Sequence, residues 1–214
     1  MIGAPSSVSE LWSSTDEGVW NAALDRYWGL IKPANLELER AMEDLTPKAV
    51  EVLDRQGWYD FLHDRYFRWK YTAPNRYATT TACLRRQVDK IGLDGLLHIR
   101  DCILTSAGGP TARALSTTCE IGGLGPAGAS GLLALLYPKS FATIDQFVAK
   151  ALAEVPSLPQ SDLICGMSPE GLSVRDGVVL IEVMRAKAAA LNATFGSQAW
   201  TPRKIDKVLW AVGR

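Results

Sequence analysis

Apolar residues along this chain recur every three or four positions, and no segment alternates between apolar and polar with period two, so the pattern predicts an all-α protein of about ten helices. Asp16-Glu17 opens a helix that runs to about Ile31, where Pro33 stops it. Asn35 is placed to cap a second helix. Thr46-Pro47 gives a third both a cap and a proline at its first position, with Gly57 at its end. Trp58 to Trp69 reads as an aromatic-rich helix, and KYTAPNRY (70–77) reads as a turn. Thr79 to Thr81 are then expected to cap a helix reaching about Ile91. From Asp94 to Ser106 the residues Leu96, Leu97, Cys102 and Ile103 share one helical face, and Gly108-Gly109-Pro110 breaks the run. A short helix over 111–119 precedes a glycine-rich turn and an apolar helix through Leu136. A loop rich in proline and serine (156–169), a helix from about Asp176 to Phe195 and a last helix from Thr201-Pro202 complete the chain.

The segment IGGLGPAGAS (121–130) stands out from this background. Gly122, Gly123 and Gly125 permit positive φ and close approach of the backbone, and Pro126 suits the first turn of the next helix. A helix N-terminus beside such a turn directs free N–H groups outward, where they can hold an anion. Small residues at Ala127, Gly128, Ala129 and Ser130 leave room for the helix over 111–119. Beyond that helix one acid, Asp145, sits among Ile144, Phe147 and Val148. As the residue before an apolar helical run, it is also a natural helix cap.

Composition narrows the class. The chain has 214 residues, 47% hydrophobic and 21% charged, as expected of a globular protein with a real core. Its apolar runs fall short of the roughly 20 residues of a membrane span, and the opening MIGAPSSVSELW carries no pattern of a secretory signal. Four scattered cysteines and two distant histidines, His63 and His98, signal neither a disulfide framework nor a metal site, so no metal or cofactor is expected. The formal net charge of zero hides a division. Residues 1–64 carry five basic against twelve acidic side chains. Residues 65–100 carry eight basic against two acidic, and residues 185–214 six against one. Two basic segments on a neutral chain point to a localised contact with a polyanion, and solvated helix faces explain the same runs.

The turn, the small-residue helix and the acid together resemble the helix-hairpin-helix DNA glycosylase superfamily over about 115–152, matched by IGGLGPAGAS and TIDQFVAKAL. From Ala127, where lyase-competent members carry lysine, to Asp145 is eighteen residues, the spacing of that family. The resemblance implies two helical subdomains with an interdomain cleft. One is a helical barrel over 34–138 containing the motif at about 111–137. The other is formed by 1–33 plus 139–214. It makes Asp145 the catalytic acid and gives Gly122, Gly123, Gly125, Ala127 and Lys150 to the DNA backbone. Ala127 offers no amine for a Schiff base, so the family's strand-cleaving route is not expected. Only Cys165 follows Asp145, which leaves no ligand set for the family's iron–sulphur cluster.

The chemistry suits a lone carboxylate. Breaking an N-glycosidic bond builds positive charge on the sugar. A carboxylate about 4 Å away, at an effective dielectric near 20, stabilises it by roughly 4 kcal/mol, or about a thousandfold in rate. Base excision also needs a pocket for a flipped nucleotide. Aromatic residues from Trp58 to Tyr77 interleave with Arg65, Arg68, Lys70 and Arg76, as in surfaces that stack bases and neutralise phosphates. Core aromatics with Arg stems lying along them give the same pattern. Trp69, Tyr71 and Asn75 are the expected pocket residues, and Arg203 and Lys204 are placed near phosphate. The expectation is a monofunctional DNA glycosylase acting as a cytoplasmic, nucleoid-associated monomer on DNA. The alternatives are a non-catalytic helix-hairpin-helix DNA-binding protein and a helical protein-interaction or regulatory protein.

Overall fold

The computed structural model describes residues 7–214, and among them every regular element is helical. No helix among the described residues is long and apolar enough to cross a membrane. The internal contacts divide the chain into two compact units. One is Pro33–Tyr137, and the other joins the described residues up to Lys32 to Pro138–Arg214.

The first unit is built on α3 (Pro33–Glu43), α4 (Pro47–Glu51), α5 (Arg55–Asp60), α6 (Phe67–Lys70), α7 (Pro74–Ser106), α8 (Thr111–Thr118) and α9 (Pro126–Leu136). Between α5 and α6 the backbone forms a π-helical stretch, Phe61–Tyr66. In α9 every residue from Gly128 to Leu136 is buried, because a helix apolar on all sides can only be core. Its four leucines each contribute about 1.5–3 kcal/mol by leaving water. Two glycines of α9 serve the aromatic segment. A Cβ at Gly131 would lie 2.8 Å from the Tyr66 hydroxyl, and one at Gly128 would lie 2.6 Å from that of Tyr71. The Tyr66 hydroxyl donates to the Gly128 carbonyl at 2.5 Å. The small residues therefore admit two tyrosines as well as α8, which also contacts α9.

Several boundaries differ from those expected. Pro33 begins α3, ahead of Asn35, so it opens a helix as well as ending the one before. Gly57 lies inside α5, where its N–H donates to the Asp54 cap at 2.7 Å. The helix expected from Thr79 starts earlier, at Pro74. The three threonines sit within it, their hydroxyls donating to carbonyls four residues back at 2.8–2.9 Å. The break expected between the helix to Ile91 and the one from Asp94 is, by contrast, present as a kink inside α7, where Gly92 leaves helical geometry with φ 71° and ψ 171°. The loop over 156–169 contains a short helix, Ser161–Cys165.

The second unit comprises α1 (Val8–Ser13), α2 (Glu17–Leu30), α10 (Gln146–Ala153), α11 (Ser161–Cys165), α12 (Val174–Phe195) and α13 (Pro202–Val212). Here α13 is the central element, touching α2, α10 and α12. Thr201 caps it and Pro202 takes its first position, while Ile205, Val208 and Leu209 are fully buried. Trp210 meets Tyr27 and Phe147 edge-on, at centroid distances of 5.5 and 6.2 Å. Lysines lie over aromatic rings here, Lys187 and Lys207 nearest. Lys187 is 4.9 Å from the Trp12 ring and 5.2 Å from the Trp20 ring, and Lys207 is 4.7 Å from that of Trp28.

Candidate functional site

The glycine turn joins α8 to α9 and is held down by α7. Gly123 has φ 96°, and a Cβ there would lie 2.7 Å from both the carbonyl oxygen and the methyl of Thr80. Gly122 lies against Cys83 and Gln87. Its N–H donates to Gln87 Oε1 at 2.6 Å, and Gln87 Nε2 donates to the Glu120 carbonyl at 2.6 Å. Of the three glycines only Gly123 has positive φ, a correction to the expectation for Gly122 and Gly125. Gly122 is required by its closeness to α7, and its amide is already engaged there. Gly125 is exposed and precedes α9 with φ −91°, and no atom lies within 4 Å of where its Cβ would be. No side chain caps α9, so the first-turn N–H of the half-buried Ala127 has no capping side chain, while Gly128 is buried.

Asp145 is the N-cap of α10. Its backbone is extended, and Oδ1 accepts the N–H of Phe147 at 2.9 Å and of Val148 at 3.0 Å. Both bonds fall on one oxygen, which leaves Oδ2 of this half-buried carboxylate without a donor among the described residues. The chain just before it is clamped by buried charge. Asp206 on α13 accepts the Thr143 N–H through Oδ2 at 2.6 Å, and Arg203 donates to Asp206 Oδ1 at 2.7 Å and to Thr143 Oγ1 at 3.1 Å. These three residues are only 4% (Arg203), 2% (Asp206) and 6% (Thr143) exposed. Arg203 is thus not a surface phosphate contact as expected but an internal brace on Thr143, two residues before Asp145. Lys150, on α10, is exposed and donates to Glu170 at 3.1 Å and Gln146 at 3.4 Å.

The aromatic segment borders the turn. Tyr71 donates to the Gly123 carbonyl at 3.4 Å, and burial pushes its hydroxyl up to about 12 against the opposing pull of the Arg76 guanidinium. Trp69 Nε1 donates to Glu39, a buried carboxylate, at 2.7 Å. Asn75 lies on the surface at the start of α7, its Oδ1 accepting the Arg76 N–H at 2.9 Å. The structure therefore brings Trp69 and Tyr71 to the Gly128–Gly131 face and the turn, and engages Asn75 elsewhere. These groups belong to the Pro33–Tyr137 unit, and Asp145 and Lys150 to the other.

The sequence reading missed Gln87, Glu39, Thr143 and Asp206. Each acts on a partner at least 30 positions away, and only Arg203-x-x-Asp206 left a local trace, as an ordinary helical ion pair. Among the described residues no three His, Cys, Asp or Glu side chains gather as a metal site would require. No protein-family model, curated protein or solved structure matches the chain.

Proposed function

We propose that this chain is a monofunctional DNA glycosylase, hydrolysing the N-glycosidic bond of a damaged or modified base and leaving an abasic site. The observation that carries the reading is the disposition of Asp145. Two amides pin one carboxylate oxygen, and the buried Thr143–Arg203–Asp206 brace holds the preceding backbone. The second oxygen is left for a developing sugar cation and its attacking water. The turn supports the DNA partner through the uncapped amide of Ala127 beside the open Gly125. Lys150 is the further backbone contact, exchanging Glu170 for phosphate. Trp69 and Tyr71 supply aromatic surface for the base, and Asn75 a polar edge. Ala127 provides no amine, so the product is uncut abasic DNA.

A second reading has its own support, because capping alone explains both hydrogen bonds to Asp145. A non-catalytic DNA-binding protein would carry the same turn and cap. Duplexes bearing single lesions or modified bases, incubated with wild type and Asp145→Asn and then treated with alkali, separate the two. Alkali-dependent cleavage by wild type alone identifies a glycosylase and its base. A protein that binds every duplex and cleaves none is the binding protein.

A further inference from the structure

Three cations of α7 that meet no carboxylate among the described residues share one face of the helix, which sets them apart from the ion-paired cations. Arg55, Arg100, Lys150 and Arg203 each meet a carboxylate within 4 Å. Arg76, Arg86 and Lys90 are exposed and meet none among the described residues; Arg86 donates to the Cys83 sulphur at 3.1 Å. At about 100° per residue, these three fall within an arc of about 80° on the helix. The glycine turn docks along that same line, Gly123 on Thr80 and Gly122 on Cys83 and Gln87. One helical turn before Thr80 stands Arg76, and one turn after Gln87 stands Lys90. The two ends of the stripe therefore bracket the turn along the helix axis. From Arg76 to Lys90 is about 21 Å of helix, the axial length of about six nucleotides of one DNA strand. The neighbouring acids are Asp89, about 60° beyond Arg86 at the edge of the stripe, and Glu120, exposed at the entrance to the turn.

We infer that the N-terminal half of α7 is a DNA-docking rail, on which Arg76 at one end and Arg86 and Lys90 at the other take phosphates of one strand while the glycine turn meets that strand between them. A rigid helix fixes its cations on a line, which suits a stiff duplex. Arg55, Arg100 and Arg203 are neutralised within the protein, and Lys150 belongs to the other unit, so none of them extends the rail. The inference shares with the proposed function the premise that the partner is DNA, and it requires nothing of Asp145.

Fluorescence anisotropy with a short labelled duplex, over a range of salt concentrations, tests it. Each lost phosphate contact lowers the slope of log affinity against log salt by about 0.9, so Arg76→Gln/Arg86→Gln/Lys90→Gln should lower it by between about 2 and 3. Arg55→Gln, whose partner is Asp94, should leave it unchanged. Bound duplex should also slow maleimide labelling of Cys83, which lies on the rail, and spare Cys165. An unchanged slope in the triple variant with Cys83 unprotected overturns the rail and leaves the glycosylase reading standing. Binding to anionic phospholipid vesicles but to no duplex overturns both. A lowered slope with no base excised from any duplex supports the rail and removes the chemistry.

Discussion

Asparagine caps a helix about as well as aspartate does, so Asp145→Asn separates the two services of this side chain. The cap should survive and the charge vanish. We expect an unfolding midpoint close to wild type and excision slower by about a thousandfold, measured by thermal denaturation and by alkali-developed cleavage of the same preparations. Asp145→Ala removes both and should cost about 1 kcal/mol of stability besides. Wild-type excision by Asp145→Asn would falsify the catalytic assignment. Tyr71 offers a test that needs no substrate. Its hydroxyl is raised to about 12, so the folded protein holds a proton there that the unfolded chain releases near 10. This contribution to stability is complete below pH 10 and is lost as pH rises toward 12. Ultraviolet titration should show a late phenolate that is lost in Tyr71→Phe. The capping role of Asp145 was legible in sequence, because a cap acts within three residues. Its unpartnered Oδ2 was not, since the sequence does not say which oxygen the amides take.

At the scale of elements, the turn and the brace make opposite demands on substitution. Gly123→Ala must adopt φ 96° and also meet Thr80, so it should destabilise by about 1–3 kcal/mol for the backbone alone. Gly125→Ala faces open space at negative φ and should be nearly neutral; urea unfolding compares the two. In the other unit, Asp206→Ala leaves Arg203 buried without its carboxylate. That should cost about 3–5 kcal/mol, whereas Arg203→Met/Asp206→Leu, which removes both charges, should cost less. The two starts marked by Thr-Pro were readable because cap and proline act locally, and both helices begin there. Thr79–Thr81 misled because hydroxyls that cap a helix also bond back within one, and Pro74 upstream had already begun the turn. The break at Gly92 was legible as a gap between two helices, because a φ of 71° is one that glycine adopts without strain.

For the whole molecule, the net charge of zero is an average over surfaces of unlike function. The acids of the first 64 residues do not pair with Arg76, Arg86 or Lys90, which remain open to a polyanion while the sum cancels. DNA binding should accordingly weaken with salt despite a neutral chain. The absence of an amine at Ala127 is likewise tested on the intact protein. Borohydride added during turnover should trap no covalent protein–DNA adduct, and a trapped adduct would expose a different nucleophile.

The π-helical stretch at Phe61–Tyr66 sets one further condition on this protein. A π turn holds one residue more than an α turn, and each residue added or removed rotates the downstream helix by about 100°. Tyr66, Trp69 and Tyr71 reach Gly128, Gly131 and Gly123 only in the present phase. Deleting one residue from 61–65 would nearly preserve the composition and the hydrophobic pattern, yet swing all three rings off their glycine seats. At this point in the chain, spacing should be guarded more strictly than identity: conservative exchanges of a ring are tolerable, and a one-codon deletion is not.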